Sequence, residues 1–305
     1  MTRVLVIKLG ALGDFIMAQP AFSALRAHHR HDELSLLTIG PMQEMAKRCG
    51  LFDRIALDPR VRGPLGYWRM RRWFRREAFQ FVYDLQGNGR TGLYWRLLFP
   101  GRPRWAGPVR GCSHPRPARP PGAHRTEWYR AQLVELGIVT GFAADNAWMD
   151  EDVSRFKLPS RHILIAAGAS ARRPEKRWSA SRYADLAKAL IAQGVVPVLL
   201  GAAADAGVTG EIGRAVPGAV DLTGQTSEFT IGGLARSAVG AIGNDTGPMH
   251  ITAFVGCPTL VLFSRASDPA FIGPRGNRTA YLQRPDLAQL AVGEVLAAAK
   301  SLCGF

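Results

Sequence analysis

Three short turns in this sequence combine glycine with charged or hydroxyl-bearing side chains, and each directly follows an apolar run. They are residues 8–14 (Lys-Leu-Gly-Ala-Leu-Gly-Asp), 168–170 (Gly-Ala-Ser) and 243–250 (Gly-Asn-Asp-Thr-Gly-Pro-Met-His). Glycine lets a ligand approach the backbone closely, and open parallel sheets bind ligands at the carboxyl ends of their strands. We therefore interpret the three turns as segments that bind substrate or carry chemistry.

The carboxylate of the first turn is a candidate general base. Asp14 stands at the start of a predicted helix, where the helix dipole favours an ionised side chain, and an ordinary N-cap would also explain it. A carboxylate at such a turn can accept the proton of an attacking sugar hydroxyl. The glycine spacing differs from the dinucleotide-binding fingerprint, and no acidic residue follows at the usual place for a dinucleotide ribose, which argues against a dehydrogenase.

The second and third turns both have the composition of a phosphate site. The basic loop after the second turn contains Arg172, Arg173, Lys176 and Arg177. Backbone amides and cationic side chains of such a loop can hold a diphosphate.

In the third turn Pro248 suits the first position of a helix, and Asp245 or Thr246 can cap it, so a purely structural explanation exists. The same arrangement directs the Thr246 hydroxyl and the Gly247 amide at a bound phosphate.

The apolar patterning predicts the elements that must hold these turns. The strand-like runs are residues 3–9, 34–39, 54–57, 79–85, 104–107, 162–168, 195–201, 219–223, 239–244 and 259–263. Helix-compatible segments separate them, so we predict right-handed βαβ units and parallel sheets covered on both faces. Residues 100–122, which are rich in proline, glycine and arginine, are expected to form a loop or flap.

The length predicts two domains, because 305 residues exceed the size at which one core keeps growing. We assign residues 1–155 to an N-terminal domain and residues 156–284 to a C-terminal domain, both Rossmann-like and doubly wound. Residues 140–160 are the predicted linker. The second sheet is expected to be complete before residue 285, so a last helix in residues 285–305 should pack across the domain junction.

The positive charge of the chain is concentrated in one stretch. The net charge is +15, and residues 60–130 contain 16 arginines, no lysine and 3 acidic residues. Arginine suits phosphate and carboxylate, so this half should meet nucleic acid, an anionic membrane surface or an acidic glycan, unless the charges are simply a solvated surface. The aromatic residues among the arginines either stack on sugars or bases, contact a lipid interface, or pack in the core: Trp68, Trp73, Phe74, Trp95 and Trp105.

Cysteine spacing and hydropathy indicate the cellular compartment of the protein. The four cysteines are far apart and form no CxxC pair, which argues against a disulfide framework and a zinc site. The sequence has no apolar run of about 18–20 residues and no signal-peptide core, so we expect a soluble cytoplasmic protein, with peripheral contact at the inner membrane as a further expectation.

Four motifs occur in order along almost the whole chain: residues 10–14 (Gly-Ala-Leu-Gly-Asp), 175–178 (Glu-Lys-Arg-Trp), 222–226 (Leu-Thr-Gly-Gln-Thr) and 244–250 (Asn-Asp-Thr-Gly-Pro-Met-His). Together they resemble glycosyltransferase family 9, which contains the ADP-heptose:lipopolysaccharide heptosyltransferases. The resemblance implies a GT-B fold, two Rossmann-like domains facing a central cleft. It implies that residues 1–155 form the acceptor-binding domain and that residues 156–284 form the nucleotide-sugar-binding domain. It also implies no catalytic metal and no cofactor.

Roles for individual residues follow from the resemblance. Asp14 is implied as the catalytic base and Lys176 as a donor-phosphate contact. The implied donor set is Ser170, Lys176, Arg177, Asp245, Thr246, Gly247 and His250. Asp205 is the acidic residue available for the nucleotide ribose, and Ser179 stands where the family usually has proline. The predicted acceptor-binding residues are Lys8, Gly13, Arg69, Arg72, Gln86 and Arg90.

The implied function is inverting transfer of a heptose from an ADP-sugar to an anionic lipopolysaccharide inner-core acceptor by a monomer that binds no nucleic acid. Three alternatives stay open from the residues alone. They are another nucleotide-sugar donor or a different acceptor, a nucleic-acid-binding protein that uses residues 60–130, and a non-catalytic sugar binder.

Overall fold

The structure, a computed structural model, describes residues 1–60, 63–170 and 173–305. Arg172, predicted to belong to the basic loop, lies outside the described residues. The chain divides into two compact units, Met1–Asp145 and Asn146–Phe305. The division falls inside the predicted linker and ahead of residue 155.

The first unit is built on a parallel sheet of six strands in the order β3-β2-β1-β4-β5-β6. Its strands are β1 (Arg3–Ile7), β2 (Glu33–Thr38), β3 (Arg54–Leu57), β4 (Phe81–Asp84), β5 (Arg104–Gly107) and β6 (His114–Pro115). Its helices are α1 (Leu12–Met17), α2 (Gln19–His28), α3 (Gln43–Arg48), α4 (Pro64–Glu77), α5 (Gly89–Leu97) and α6 (Arg125–Val134). The single helix predicted to begin at Asp14 is two helices, α1 and α2, and the first of them begins at Leu12.

The second unit repeats this plan with a parallel sheet in the order β12-β11-β10-β7-β8-β9. Its strands are β7 (His162–Ala166), β8 (Val196–Leu199), β9 (Val220–Asp221), β10 (Gly240–Asn244), β11 (Thr259–Phe263) and β12 (Thr279–Gln283). Its helices are α7 (Ala180–Ile191), α8 (Ala206–Ala215), α9 (Glu228–Ser237), α10 (Gly247–Phe254), α11 (Pro269–Ile272) and α12 (Val292–Cys303).

Continuous apolar runs form the central strands because helices cover both faces of each sheet. Val4 of β1 pairs with Leu34 of β2 on one side and with Phe81 of β4 on the other. Residues 4–7 have no exposed surface, and the five residues of β7 are all buried. Burial on both faces favours apolar side chains along most of each central strand, which is why these strands were predicted from their apolar runs.

Two strands at sheet edges were missed. The predicted strands end with residues 259–263, whereas β12 adds a sixth strand beside β11; the sheet is nevertheless complete before residue 285, as expected. The segment 100–122 contains β6 in addition to the predicted strand at residues 104–107, so it is not only a loop. Both missed strands lack an apolar run: β6 is a His-Pro dipeptide, and β12 is partly exposed along its length.

The last helix belongs to the second unit. α12 contacts α7 and strands β10, β11 and β12. Val295 and Ala299 are its buried residues, and Trp178 and Leu290 lie in the same core. The expected packing of this helix across the domain junction stays a prediction.

In each sheet the strand order reverses beside the first strand: the second and third strands along the chain lie on one side of it, and the fourth lies on the other side. In the first unit β1 is flanked by β2 and β4, and in the second β7 is flanked by β8 and β10. The crevice outside the carboxyl ends of such a strand pair is where open α/β sheets bind ligands. The three turns singled out from the sequence follow β1, β7 and β10, so each lies at one of these two crevices.

Among the described residues, no helix is long and apolar enough to span a membrane.

Candidate active site

Asp14 does not cap the helix on which it lies. The residue before α1 is Ala11, and Asp14 is the third residue of the helix. Its Oδ1 lies 3.4 Å from Nη1 of Arg125, and its side chain keeps 27% of its surface exposed. The structural explanation offered by the sequence therefore fails, and a partly exposed carboxylate beside a guanidinium is left at the crevice of the first sheet.

Arg125 was missed by the sequence analysis. It is the first residue of α6, and His124 before it forms a capping box with Glu127. The sequence signal for the helix start was present in His-Arg-Thr-Glu, but the pairing with Asp14 joins residues far apart along the chain. Only the tertiary structure brings α6 beside α1.

The turn that carries Asp14 is tied to the neighbouring turn after β4. The Leu9 amide donates to Oε1 of Gln86 over 2.9 Å. The amides of Gln86 and Gly87 in turn donate to Oδ1 of Asp84, over 3.1 and 2.7 Å. Gly87 has a φ of +61°, a conformation that suits glycine and lets the turn close. Gln86, predicted as an acceptor contact, therefore also fixes the backbone leading to Asp14.

Asp84, the last residue of β4, carries a fully buried carboxyl group. It has no exposed surface, and burial raises its pKa. Its Oδ2 has no hydrogen-bond partner among the described residues. Sequence reasoning passed over it because it reads as the last residue of an apolar strand.

Two of the predicted acceptor residues are already engaged by the protein. Lys8 has no exposed surface, and its Nζ donates to Oη of Tyr129 over 2.8 Å. The Arg90 guanidinium pairs with buried Asp58, which also accepts from Tyr94 Oη over 2.6 Å. Both side chains hold the fold, and the structure offers no support for direct acceptor contact by either.

The other three predicted acceptor residues differ in accessibility. Gly13 is buried inside α1, whereas Arg69 and Arg72 are exposed on α4. The Arg72 guanidinium lies 5.5 Å from the ring centre of Trp68. Their role as acceptor contacts stays a prediction.

The aromatic residues of the basic stretch mostly pack in the core. Phe74, Trp95 and Trp105 are buried in one cluster, and Trp73 packs partly buried against it. Trp68 is the exception at 53% exposed. Of the three interpretations left open by the sequence, core packing accounts for Trp73, Phe74, Trp95 and Trp105.

In the second unit, one buried amide connects both predicted phosphate turns. Asn244 ends β10, and its Oδ1 accepts from the Trp178 amide over 3.1 Å and from Tyr183 Oη over 3.0 Å. Its Nδ2 donates to the Ala167 carbonyl over 2.7 Å. Asn244 was quoted within a motif but given no role, and the structure makes it the clamp that fixes the basic loop against the end of β7.

Lys176 and Asp245 form a close ion pair at the crevice of this sheet. Lys176 Nζ lies 2.6 Å from Asp245 Oδ2, and the two side chains are 17% and 6% exposed. Lys176 comes from a short 3-10 turn, Pro174–Lys176, and Asp245 follows β10 directly. The pair brings together two residues that the sequence assigned to the same diphosphate.

Thr246 is the N-cap residue of α10, yet its side chain does not cap the helix. Its Oγ1 is buried and has no hydrogen-bond partner among the described residues. A buried hydroxyl without a partner costs free energy. Pro248 has no N–H, and the Met249 amide donates to the Thr246 carbonyl over 3.2 Å, so the Thr246 hydroxyl and the Gly247 amide are the donors that this end of α10 offers to an anionic ligand.

The remaining predicted donor residues lie around this turn. Arg177 Nη2 donates to the Ala169 carbonyl over 2.7 Å, Ser170 is exposed, and His250 is buried in α10. The Asp205 carboxylate lies over Gly168, because a methyl group added at Gly168 would come within 2.4 Å of it. Asp205 is thus beside the second turn, and its contact with the nucleotide ribose stays a prediction.

No cluster of three or more metal-ligating side chains occurs in residues 1–60, 63–170 and 173–305. The implied independence from a metal stays an expectation.

Comparison with known proteins places this chain. Residues 133–292 match the family model for glycosyltransferase family 9 (heptosyltransferase). The chain is 25% identical over 301 residues to lipopolysaccharide heptosyltransferase 2 of Salmonella typhimurium, with 90% of this chain and 86% of that one covered.

Two solved structures share the fold. A family 9 glycosyl transferase from Veillonella parvula has a TM-score of 0.82 at 20% identity, covering 99% of this chain and 97% of that one. ADP-heptose lps heptosyltransferase II of E. coli has a TM-score of 0.78 at 22% identity, covering 99% and 98%.

The fold is therefore GT-B, made of two Rossmann-like domains, as predicted. The match extends over more than half of the chain, and the protein belongs to glycosyltransferase family 9, the heptosyltransferase family.

Proposed function

We propose that this glycosyltransferase moves a heptose from ADP-heptose to an anionic inner-core acceptor of lipopolysaccharide, in the cytoplasm and with inversion at the anomeric carbon. The names of the Salmonella and E. coli relatives support the donor and the acceptor class. The observation that carries the proposal is the amino end of α10, where the Thr246 hydroxyl, which has no partner in the part of the chain that the structure describes, follows the Lys176–Asp245 ion pair.

The donor diphosphate binds at this turn in the proposed reaction. Lys176 and the helix N-terminus meet the charge that builds on the leaving ADP, and the Thr246 hydroxyl donates to a phosphate oxygen. Asp245 holds the ammonium of Lys176 in position, because the two side chains are already in contact. Electrostatic groups fixed in this way lower the barrier without reorganising during the reaction.

The acceptor hydroxyl is activated by Asp14 in the first unit. Its carboxylate takes the hydroxyl proton while the oxygen attacks the anomeric carbon and the bond to ADP breaks. Arg125 lies on one carboxylate oxygen and orients the group, leaving the other oxygen for the proton. A single displacement of this kind inverts configuration.

Calorimetric titration with ADP and UDP, followed by a transfer assay in a chelator, tests the proposal. ADP should bind in preference to UDP in the wild type and in Asp14→Asn. Transfer by Asp14→Asn should fall about 100- to 10,000-fold, the usual contribution of a general base.

Asp53→Asn is the matched control, since Asp53 also pairs with an arginine of the first unit, Arg26. It should transfer at the wild-type rate. A preference for UDP would replace the donor, full activity of Asp14→Asn would overturn the base assignment, and loss of transfer in the chelator would contradict a metal-independent reaction.

A further inference from the structure

The outward face of α4 combines arginine with large exposed apolar side chains. Successive helical residues are about 100° apart, so six residues of α4 share an arc about 120° wide. These residues, which we call the basic face of α4, are Leu65, Trp68, Arg69, Arg72, Arg75 and Arg76. All six are exposed, and the buried residues of the helix lie on the opposite side.

The loop after α5 extends this face with a third apolar group. Arg75 Nη2 donates to the Pro100 carbonyl over 3.2 Å, which brings the loop beside the basic face. Phe99 of this loop is 65% exposed, and the Arg102 guanidinium lies 5.0 Å from its ring centre. Leu65 and Trp68 are 62% and 53% exposed. Three large apolar side chains thus stand among arginines on one surface.

Many other arginines of the basic stretch serve the fold and do not compete for an outside partner. Arg71 donates to the Leu97 carbonyl, Arg90 pairs with Asp58, and Arg116 donates to Gln132. The acidic residue of α4, Glu77, is buried and pairs with Arg3, Arg54 and Arg76, so Arg76 of the basic face is partly compensated. The remaining arginines of the basic face still give it positive charge where apolar groups are also exposed.

We propose that the basic face of α4, together with Phe99, docks on an anionic lipid surface. Arginine is attracted to anionic headgroups, and Trp and Leu insert at the headgroup level of a bilayer. A nucleic acid would neutralise the arginines but would leave Leu65 and Phe99 in water, so the observations favour lipid.

The amino end of α4 lies on the same side of the first sheet as the turn that carries Asp14. α4 begins after β3, where the carboxyl ends of the strands lie, and ends before β4, so Arg75 and Phe99 lie toward the opposite side. If the acceptor is lipid-linked, which rests on the proposed function, the end of the basic face that carries Trp68 is the end nearer the base. The docking itself depends only on the surface.

Co-sedimentation of the full chain with vesicles tests the proposal. The protein should bind vesicles of phosphatidylglycerol and phosphatidylethanolamine at low salt, release at high salt, and bind vesicles of phosphatidylcholine alone weakly. At about fivefold per arginine, Arg69→Gln with Arg72→Gln should weaken binding about 25-fold. Trp68→Ser should weaken binding at every salt concentration, because its contribution is apolar.

The matched control removes the same charge elsewhere. Arg161 and Arg214 are exposed in the second unit, and replacing both with glutamine should leave vesicle binding close to wild type. Equal loss in the two double variants, absence of sedimentation, or preference for duplex DNA over vesicles would overturn the proposal. ADP titration of the same preparations tests the proposed function separately, since none of these residues belongs to the donor site.

Discussion

At the scale of single residues, the buried hydroxyl of Thr246 has no hydrogen-bond partner among the described residues. Thr246→Val keeps the shape of the side chain and should leave thermal stability unchanged or slightly raise it, because no internal hydrogen bond is lost and a buried hydroxyl without a partner is removed. ADP affinity should fall roughly tenfold or more, the usual value of a hydrogen bond to a charged group. Calorimetry with ADP measures this, and adenosine, which lacks the phosphates, should bind both proteins equally.

Thr252 provides the matched control on the same helix. Its hydroxyl donates to the Met249 carbonyl and accepts from Thr259, so it is fully used by the fold. Thr252→Val should lower the melting temperature with little effect on ADP affinity. Equal ADP affinity in the wild type and Thr246→Val would contradict the phosphate role.

Residue types and spacing identified the three turns but not the contacts that fix them. Asp14, Lys176 and Thr246 could be named because each follows an apolar run with glycine nearby. Arg125 and the Asn244 clamp could not receive roles, because their partners come from other elements and only folding brings them together.

At the scale of elements, one glutamine side chain at each end of β4 accepts a hydrogen bond from a backbone amide at the corresponding end of β1. Gln86 accepts from the Leu9 amide at the carboxyl end, and Gln80 accepts from the Arg3 amide at the amino end, over 2.7 Å. Gln86→Leu should lower kcat about 10- to 100-fold, because small displacements of a catalytic group are costly, while ADP affinity stays unchanged.

Gln80→Leu removes the equivalent bond far from Asp14 and should cost similar stability while kcat stays near wild type. Steady-state kinetics and thermal unfolding of both variants separate the two effects. If both substitutions reduce kcat equally, the bond at Gln86 has no special part in positioning the turn.

The sequence predicted strands where it contains an apolar run. β7 and β11 are buried throughout and were found, and the edge strands β3 and β9 were found as well, whereas β6 and β12 lie at edges and are partly exposed. Their pairing depends on the neighbouring strand more than on their own residues, so no local pattern announced them.

At the scale of the whole molecule, pH acts on the stability of the first unit through Asp32. Hydrogen bonds from His29 and from the Thr2 amide lower the pKa of Asp32 from 3.8 to about 2. A lowered folded-state pKa contributes stability that is present above the unfolded value and is lost as the pH falls through the folded one. The contribution of Asp32 should therefore disappear between about pH 4 and pH 2.

Thermal unfolding of Asp32→Asn across this range checks the prediction. The variant should be less stable than wild type at neutral pH and should lose less stability on acidification. Asp185→Asn, which removes an exposed carboxylate of α7, should keep the wild-type pH profile. Parallel profiles for wild type and Asp32→Asn would contradict the assignment.

Each sheet takes all six of its strands from its own half of the chain, β1 to β6 in one and β7 to β12 in the other. Among the described residues, each strand of the first sheet pairs with strands from the first half of the chain. The first half can therefore complete its sheet on the ribosome while the second is still being translated, as domains generally do. Because the two halves are synthesised one after the other, the strands of the first sheet can pair before the strands of the second sheet exist. The apolar strands of two sheets with the same topology are then not exposed at the same time.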